Sequence, residues 1–334
     1  MPEAGLSEVA DVERRARDFP SATVVICAYT ERRWPQIVEA VASVKRQTVL
    51  ATECVVVIDH NEALLRRAQE ELSGVLVVPN VETRGLSGGR NSGLNAATTD
   101  VVVFLDDDAE ADDQWLERLL APYADSTVLG TGGAALPRWP VGRPSWFPQE
   151  FDWVVGCSYR GLPETTATVR NPIGANMSFR RDVANAAGGF DHGIGRLDAL
   201  PLGCEETVFS IRARRIMQGA RIVYVPEAVV SHNVSLDRTT VRYFVHRCVA
   251  EGLSKAVVSK HVGQEAALES ERRYVASVLP RGVLRGLVAT SRDEYSPAKA
   301  AMIVVGFAAT LLGYGLGRAG LQGTARWLLG EGRS

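Results

Sequence analysis

Three consecutive aspartates, Asp106 to Asp108, are the residues of this chain whose type and spacing best suit chemistry. They follow the apolar run VVVFL, so three carboxylates lie at the end of a buried strand, where their mutual repulsion is unfavourable. One interpretation is a helix N-terminus, because AEADDQWLERLL has the pattern of a helix beginning just after them. The other is a divalent cation bound by hard oxygen ligands. This window alone leaves both open.

Other polar residues lie at the ends of neighbouring predicted strands. Tyr29 and Glu31 close the first apolar run, Asp59 follows the second, and a glycine-rich loop carries Arg84 and Arg90. Because ligands of parallel sheets bind beyond the carboxyl ends of the strands, one pocket is expected to collect these groups. The loop RGLSGGRNSG has neither GxGxxG spacing nor the GK[ST] of a P-loop. Its arginines either meet phosphate or are solvated at a helix-entry turn.

Strands and helices alternate in short steps up to about residue 110, and this order positions the polar residues. Four apolar, β-branched runs predict strands, and the stretches between them have apolar residues at helical spacing. Such alternation is typical of βαβ units. We therefore expect an α/β fold: a single, mostly parallel, Rossmann-like sheet flanked by helices, with a helical C-terminal extension.

The second half of the chain carries further candidates. Trp139 and Trp146 lie in a stretch rich in Pro, Gly and Trp that predicts long irregular structure after residue 130. Their rings suit a sugar or an apolar acceptor, or they anchor the loop to a core. Glu205 and Glu206 begin a predicted helix, where acids suit the dipole and where a general base could be held. His232 ends a predicted strand as a metal ligand, a phosphate contact or a polar cap.

Composition limits the class of protein. The chain has 334 residues, 46% hydrophobic and 23% charged, enough for one large or two smaller globular domains. Net charge is -2, so no basic field indicates a nucleic-acid partner. Five scattered cysteines include no CxxC pair, which indicates reduced thiols in a cytoplasmic protein. The first residues lack an apolar core, so we expect no signal peptide.

The longest uncharged stretch, 300–317, lies between Lys299 and Arg318. It is slightly shorter than the roughly 20 apolar residues that span a bilayer. It predicts either a helix buried in the core or in a homodimer interface, or a helix on a membrane surface. From Glu271 onward, nine Lys or Arg stand against four Asp or Glu. The membrane interpretation places the protein peripherally on the inner face of the cell membrane.

An ordered set of motifs resembles the family 2 inverting glycosyltransferases, which have the GT-A fold. The motifs are TVVICAYTE, VVVIDHN, RGLSGGRNSGLNAATTDVVVFLDDDAE, GANMSFRR with GGFD, GCEETVFSIRAR and VSH, and they cover about residues 21–260. Each is weak alone, and their order and spacing make the resemblance specific. The stretches RWPVGRPSWFPQEFDWVVGCSYRG and RYFVHRCVAEGLSKA are similar to a bacterial, actinobacterial-type subgroup.

The resemblance implies a nucleotide-sugar donor. The residues that would bind it are Ala28, Tyr29, Glu31, Asp59 (through the base), Arg84, Gly85, Arg90, Asn91, Asp106 and Asp107. Asp108 would bind Mn²⁺ or Mg²⁺, with Asp106 and His232 as further ligands, and the metal would stabilise the diphosphate leaving group. A carboxylate at Asp59 suits uracil or thymine better than guanine, which favours UDP or dTDP.

The resemblance also implies an acceptor side. Glu206, or its neighbour Glu205, would deprotonate the acceptor hydroxyl for in-line attack at the anomeric carbon. The residues near the acceptor or its helix would be Asn176, Met177, Trp139, Trp146 and Arg212. The chain departs from the family pattern in having no proline at the end of the first strand, Asp59-His60 in place of paired acids, and Glu206 in place of aspartate.

The predicted organisation is an N-terminal arm (1–20), a nucleotide-sugar half (21–130), an acceptor half (131–240) and a helical region (241–334). The predicted function is metal-dependent transfer of a sugar to a hydroxyl of a lipid-linked or cell-envelope glycan, or of a small molecule. One alternative is a nucleotidyltransferase, which would need a glycine-rich basic loop where this chain has TERRWPQ. The other is a catalytically silent, membrane-associated scaffold, against which the retained acids count.

Overall fold

The computed structural model describes residues 19–192, 203–263, 269–288 and 296–321. Its strands are β1 Ala22–Ala28, β2 Glu53–Ile58, β3 Leu76–Pro79, β4 Val101–Asp106, β5 Ala109–Ala111, β6 Val128–Arg138, β7 Ala167–Val169, β8 Asn176–Arg180 and β9 Arg221–Asn233. Its α-helices are α1 Trp34–Lys45, α2 Glu62–Glu71, α3 Leu86–Ala96, α4 Trp115–Leu120, α5 Arg181–Ala186, α6 Glu205–Ile216, α7 Val241–Val262, α8 Glu269–Arg273, α9 Leu279–Val288 and α10 Pro297–Arg318. Nearly all of the predicted N-terminal arm lies outside the described residues.

All of these strands form one sheet in the order β3-β2-β1-β4-β8-β6-β9-β5, with β7 paired to β9. The strands β3, β2, β1 and β4 run parallel, because a helix follows each of β1, β2 and β3 and returns the chain across the sheet. The pairs β4–β8, β8–β6, β9–β5 and β9–β7 are antiparallel. The expected α/β fold is confirmed, with the correction that the sheet is mixed and parallel only in its first half.

The parallel half brings three strand ends to one edge. Cys27 of β1 pairs with Asp106 of β4, and Ala28 pairs with Ile58 of β2. These strands are buried on both faces by helices, which explains their continuous apolar runs. Asp59, Asp106 and the residues after Ala28 therefore leave the sheet side by side.

The segment after the aspartates differs from the predicted helix. Ala109–Ala111 form β5, which pairs antiparallel with β9 and places Ala109 opposite His232. The side chains of Ala109 and Ala111 are each 2% exposed and pack against α1. The next helix, α4, begins only at Trp115. The aspartates therefore cap no helix, and that interpretation of them is wrong.

A second difference follows residue 130, where the sequence predicts irregular structure. The residues GTGGAALPR belong to β6, an 11-residue strand. A Cβ at Gly133 would lie 1.9 Å from the carbonyl oxygen of Ala228 in β9, so the glycine permits close approach of the backbones. Glycine weakens the strand pattern, which is why the sequence does not reveal β6.

Contacts divide the described residues into two compact units. The first, within 1–136, 163–190 and 212–232, holds the sheet and a core that includes Trp115. The second, within 137–162, 191–211 and 233–334, has its own aromatic core. There the rings of Phe147 and Phe151 each lie 5.3 Å from that of Phe244. The predicted binding halves, with boundaries at 130 and 240, stay predictions.

In the second unit α10 packs on α7 through small residues. A Cβ at Gly313 would lie 2.0 Å from the carbonyl oxygen of Val249, and one at Gly317 would lie 2.6 Å from the Cβ of Ala256. Glycine therefore lets the two helix backbones approach closely. The helix predicted at 300–317 is present within α10, with one face buried in this way.

Two glycines of α10 provide a matched test of this packing. We expect Gly313→Ala to destabilise the protein by about 1–3 kcal/mol, because the added methyl group overlaps the α7 backbone. Gly315 has no neighbouring atom within 4 Å of its ideal Cβ. Gly315→Ala should therefore leave stability unchanged or raise it by up to about 1 kcal/mol through helix propensity. Denaturant unfolding measures both, and equal effects would contradict the close α7–α10 packing.

Candidate functional site

Three potential metal ligands lie close together near the carboxyl ends of the parallel strands. Asp106 ends β4, Asp108 follows it, and the pairing of β9 with β5 brings His232 beside them. His232 Nε2 lies 3.2 Å from Asp108 Oδ1 and 3.7 Å from Asp106 Oδ2. One ligand atom from each residue lies within 4.8 Å of the others. This spacing allows all three to bind one ion.

Burial and neighbouring cations decide the charge of this group. Asp108 and His232 are 6% and 3% exposed. Burial acts to raise the pKa of Asp106, but the neighbouring His232 imidazole and the Arg90 guanidinium together hold that pKa below its usual value. Arg90 Nη2 lies 3.7 Å from Asp106 Oδ1. Asp106 is therefore ionised and able to act as a ligand.

Arg33, from the turn after β1, is the second cation of the cluster. Its Nη1 donates to Asp107 Oδ1 at 2.6 Å and lies 3.0 Å from Asp108 Oδ2. Asp108 thus has one oxygen toward Arg33 and the other toward His232. Burial raises the pKa of Asp107 to about 7 even though Arg33 lowers it. Asp107 therefore faces Arg33 and is not grouped with the three potential ligands.

The donor set fits the expected Mn²⁺ or Mg²⁺. Two carboxylates supply hard oxygen ligands, and His232 supplies an imidazole nitrogen. Three protein ligands leave further coordination positions for water or for the oxygens of a bound substrate. The site that the sequence placed at the aspartates is therefore a site that can hold a divalent metal.

Asp59 holds the turn that leads into α3. Its Oδ2 accepts the Gly85 N–H at 3.0 Å, and its Oδ1 accepts from Asn80 Nδ2 at 2.7 Å. Gly85 has a φ of 127°, which favours glycine. Asn80 also accepts from the Ser92 hydroxyl at 2.8 Å. Asp59 thus has a structural role in the glycine-rich loop, and its predicted contact with the base stays a prediction.

Arg90 and Asn91 of α3 are buried and bonded to protein. Arg90 Nη2 donates to the Gly174 carbonyl at 3.0 Å. The Asn91 side chain donates to the Phe190 carbonyl at 2.9 Å and accepts the Phe190 N–H at 2.7 Å. The two bonds of Asn91 connect α3 to the GGFD turn, and the bond of Arg90 connects α3 to the segment before β8. The predicted contacts of both residues with ribose and diphosphate stay predictions.

Asn176 and Met177 lie inside the sheet and are 0% exposed. Asn176 Nδ2 donates to the carbonyls of Ala134 and Ala228, each at 2.9 Å, and its Oδ1 accepts from Trp115 Nε1 at 2.8 Å. These bonds occupy both amide protons of Asn176. Its predicted position beside the donor sugar and acceptor stays a prediction, and a donated bond to substrate would require one of them to break.

The remaining donor-side predictions lie after the strand ends. Ala28 is buried as the last residue of β1, whereas the Tyr29 ring that follows is 46% exposed. Glu31 and Arg84 are exposed. The Arg33 guanidinium lies 5.5 Å from the centroid of the Tyr29 ring. An exposed ring beside the carboxylate cluster is available to a flat group such as a base.

Glu205 and Glu206 are the first two residues of α6, as the sequence predicts. Glu205 is 7% exposed, whereas Glu206 is half-buried and accepts from the Thr207 hydroxyl at 3.3 Å. Farther along the helix, Arg212 donates to the carbonyl of Gly189. Of the two acids, Glu206 has the more accessible side chain.

Trp139 and Trp146, in the second unit, pack against its aromatic core. Their rings lie 5.1 and 5.3 Å from that of Phe147, and the Arg143 guanidinium lies 5.1 Å from Trp139. Both tryptophans remain partly exposed. They anchor their segment to the core, and a contact with acceptor stays a prediction.

Arg33 and Asn80 are residues of the site that sequence reasoning misses. An arginine within TERR has the pattern of a solvated side chain, and its partner Asp107 lies 74 positions away. Asn80 directly follows the run VLVVP, so the same strand-end signal that indicated Asp59 could have found it.

The mixed sheet, with a group of potential metal ligands at the carboxyl ends of its parallel strands, is similar to solved structures with the GT-A fold. The structure of a mannosyltransferase from Pyrobaculum calidifontis, in complex with GDP-Man and Mn²⁺, matches 91% of this chain and 94% of its own with a TM-score of 0.53 and 20% identity. The structure of GalNAc-T7 with UDP, GalNAc and Mn²⁺ matches 78% of this chain and 56% of its own, with a TM-score of 0.51 and 17% identity. At these identities the likeness shows the fold.

Sequence comparison gives the family. The family model of glycosyl transferase family 2 matches residues 23–188. A glucosyl-dolichyl phosphate glucuronosyltransferase of Haloferax volcanii is 37% identical over 240 residues, 71% of this chain and 76% of the relative. The succinoglycan biosynthesis protein ExoM of Rhizobium meliloti is 28% identical over 239 residues, 68% of this chain and 71% of the relative. The chain belongs to glycosyl transferase family 2, so the predicted family and enzyme class are confirmed.

The position of Arg33 generates a test of the metal site. In Arg33→Met, Asp107 no longer faces a cation and should be protonated. The main effect on the metal site should then be that Asp108 loses the contact that orients its carboxylate. We expect Mn²⁺ affinity to fall about 10-fold or more, as for other groups that orient metal ligands. Calorimetric titration of Mn²⁺ measures the change. Arg32→Met, which alters an exposed neighbour, is the matched control. An unchanged or higher affinity in Arg33→Met would show that Arg33 does not position the ligand.

Proposed function

We propose that the protein transfers a sugar from a nucleotide-sugar donor to a hydroxyl of a lipid-linked glycan, with Mn²⁺ and with inversion at the anomeric carbon. The observation that carries the proposal is the group Asp106, Asp108 and His232 beside an exposed aromatic ring. The diphosphate of a nucleotide sugar is a ligand for such an ion. Carboxylates suit Mg²⁺ and Mn²⁺ alike, and the imidazole favours the transition metal.

The metal ligands and the general base would have separate roles in the reaction. When bound, the metal supplies positive charge that stabilises the diphosphate leaving group. Asp106, Asp108 and His232 would hold that ion, and Arg33 would keep Asp108 oriented. Glu206 would take the proton of the acceptor hydroxyl. The oxygen of that hydroxyl would attack the anomeric carbon while the bond from this carbon to the diphosphate breaks. Attack from the face opposite the leaving group inverts the configuration.

We favour a UDP or dTDP donor. Tyr29 offers a ring for a base to stack on. Asp59 Oδ1 contacts Asn80 and His60, and its Oδ2, which accepts the Gly85 N–H, retains acceptor capacity for the N–H of a pyrimidine. The name of the Haloferax volcanii relative supports glucuronic acid as one sugar to test.

A lipid-linked acceptor is supported by that relative, named for a glucosyl-dolichyl phosphate, and by the outward face of α10. This face, which we term the outer stripe, consists of Ala301, Val304, Val305, Ala308, Leu311, Leu312 and Gly315, all of them exposed. A helix on a soluble surface has polar residues there. Gly313 and Gly317 of α10 face α7, whereas Val304, Val305, Leu311 and Leu312 face outward.

The neighbouring helix α9 also exposes apolar and basic residues. Leu284, Leu287 and Val288 are 61%, 64% and 77% exposed, and Arg281 and Arg285 on the same helix are also exposed. Apolar side chains interspersed with cations suit the headgroup region of an anionic membrane. α10 is also long and apolar enough to cross a membrane, which for a single helix is weak evidence. Because the buried face of α10 packs on α7, we propose that α10 lies on the membrane surface and does not cross the bilayer. The protein would then be peripheral on the cytoplasmic side of the cell membrane.

Ligand-induced stabilisation tests the donor site. Melting temperature is measured with UDP, dTDP, GDP, ADP and CDP, each with and without Mn²⁺, for the wild type and Asp108→Asn. We expect a Mn²⁺-dependent rise with UDP or dTDP that is absent in the variant, because ligand binding to the folded state raises stability by mass action. A rise with none of the nucleotides would overturn the proposed donor site. If the acceptor were a small molecule, the melting temperatures would change in the same way, but the protein would not bind vesicles in the next experiment.

Vesicle co-sedimentation tests the outer stripe. We expect wild-type protein to bind vesicles rich in phosphatidylglycerol, and Leu311→Glu/Leu312→Glu to lose most of that binding, because two charges oppose burial of the stripe. Val141→Glu, at a site 82% exposed and outside the stripe, should bind like the wild type. If the wild type ignores vesicles but forms a dimer that the double variant dissociates, the stripe covers a second copy and the membrane proposal is wrong.

A further inference from the structure

The turn before the two glutamates of α6 has an unfavourable backbone conformation. Cys204 has a φ of 77°, and His60 is the other non-glycine residue with positive φ in the described part of the chain. A residue with a Cβ adopts this region at a cost that glycine avoids. The Cys204 carbonyl accepts the Val208 N–H at 3.1 Å. The conformation of Cys204 therefore sets the direction in which α6 begins.

Two residues of α7, in the same unit, hold this turn. The Gly203 N–H donates to Ser254 Oγ at 3.1 Å, and Ser254 Oγ in turn donates to the Ala250 carbonyl at 2.9 Å. Cys204 Sγ lies 3.6 Å from Glu251 Oε1, within reach of an S–H to carboxylate hydrogen bond. Successive residues of the turn are thus bound to α7 positions one helical turn apart.

The Glu251 carboxylate is itself fixed in place. Lys255 Nζ lies 3.0 Å from Glu251 Oε1 and also contacts Glu271. Burial acts to raise the pKa of Glu251, but the cations of Lys255 and Arg247 hold it below its usual value. Glu251 therefore presents a permanent acceptor to the Cys204 thiol.

We propose that Glu251 and Ser254 are positioning residues for Glu206. By holding Gly203 and Cys204 they fix the first turn of α6 and so the place of the Glu206 carboxylate. Glycine would adopt a φ of 77° without strain, and the thiol contact with Glu251 explains a cysteine at this position. The inference rests on the proposed function, in which Glu206 is the general base.

A pair of serines on α7 offers a matched test. Ser254 and Ser259 are both buried, and each donates to the carbonyl four residues earlier, but Ser254 alone of the two is seen to bind Gly203. Turnover is followed as nucleoside diphosphate release from UDP-glucose, UDP-glucuronic acid or GDP-mannose. We expect Ser254→Ala to lower kcat about 10-fold, because small displacements of a catalytic group are costly, and to leave the donor KM within about twofold. Ser259→Ala should resemble the wild type.

Substitution of Cys204 separates positioning from folding. Cys204→Gly relieves the backbone strain and removes the contact with Glu251, so kcat should fall about 10-fold while the melting temperature changes little. Cys204→Ser keeps a donor toward Glu251 and should restore most of kcat. Mn²⁺ affinity should be unchanged in both variants. A purely structural role would make kcat and melting temperature fall together, and that result would overturn the inference.

Glu206→Gln distinguishes the two levels of the argument. If this variant turns over like the wild type, Glu206 is not the base and the proposed mechanism fails with the inference. If Glu206→Gln is inactive while Ser254→Ala matches Ser259→Ala and Cys204→Gly keeps its kcat, the base assignment stands and the positioning role is wrong.

Discussion

Repulsion among buried carboxylates at the end of β4 is the constraint on which the rest of the site depends. Burial of neighbouring carboxylates requires opposing positive charge or hydrogen-bond donors, and the chain supplies such groups from three separate elements. Arg33 comes from the turn after β1, Arg90 from α3 and His232 from β9. The register of the sheet, the packing of α3 and the short strand β5 are therefore all conditions for the same cluster. A bound metal ion would add its positive charge to that of the two arginines beside these carboxylates.

Local sequence patterns predicted the parts of the fold that depend on nearby residues. The strand before Asp106, the strand before Asp59 and the helix that begins at Glu205 are each visible in a short window, because apolar runs and their polar ends are adjacent. The helix predicted after Asp108 is present from Trp115 but was placed to begin too early, because Ala109–Ala111 pair with β9, more than 100 residues later. The contact of Arg33 with Asp107 is equally distant along the chain, and no local pattern marks it.

The C-terminal helix shows a different limit of sequence reasoning. Composition identified α10 as apolar, but it could not tell which residues would be covered. The structure buries Gly306, Gly313 and Gly317 and exposes Leu311 and Leu312. This arrangement depends on α7, whose Gly252 also lies against the α10 backbone. The two helices approach so closely at these glycines that no large side chain fits between them, and Leu311 and Leu312 lie on the exposed face.

The pairing of Cys27 with Asp106 has a consequence for which metals and reagents can act at this edge of the sheet. Burial raises the pKa of the Cys27 thiol to about 12. At neutral pH this sulfur is a neutral thiol, and thiols bind soft metals and react with oxidants or alkylating agents chiefly as thiolates. A cysteine beside the carboxylates thus reacts slowly with oxidants and alkylating agents at neutral pH, and a soft metal ion would have to displace its proton in order to bind it.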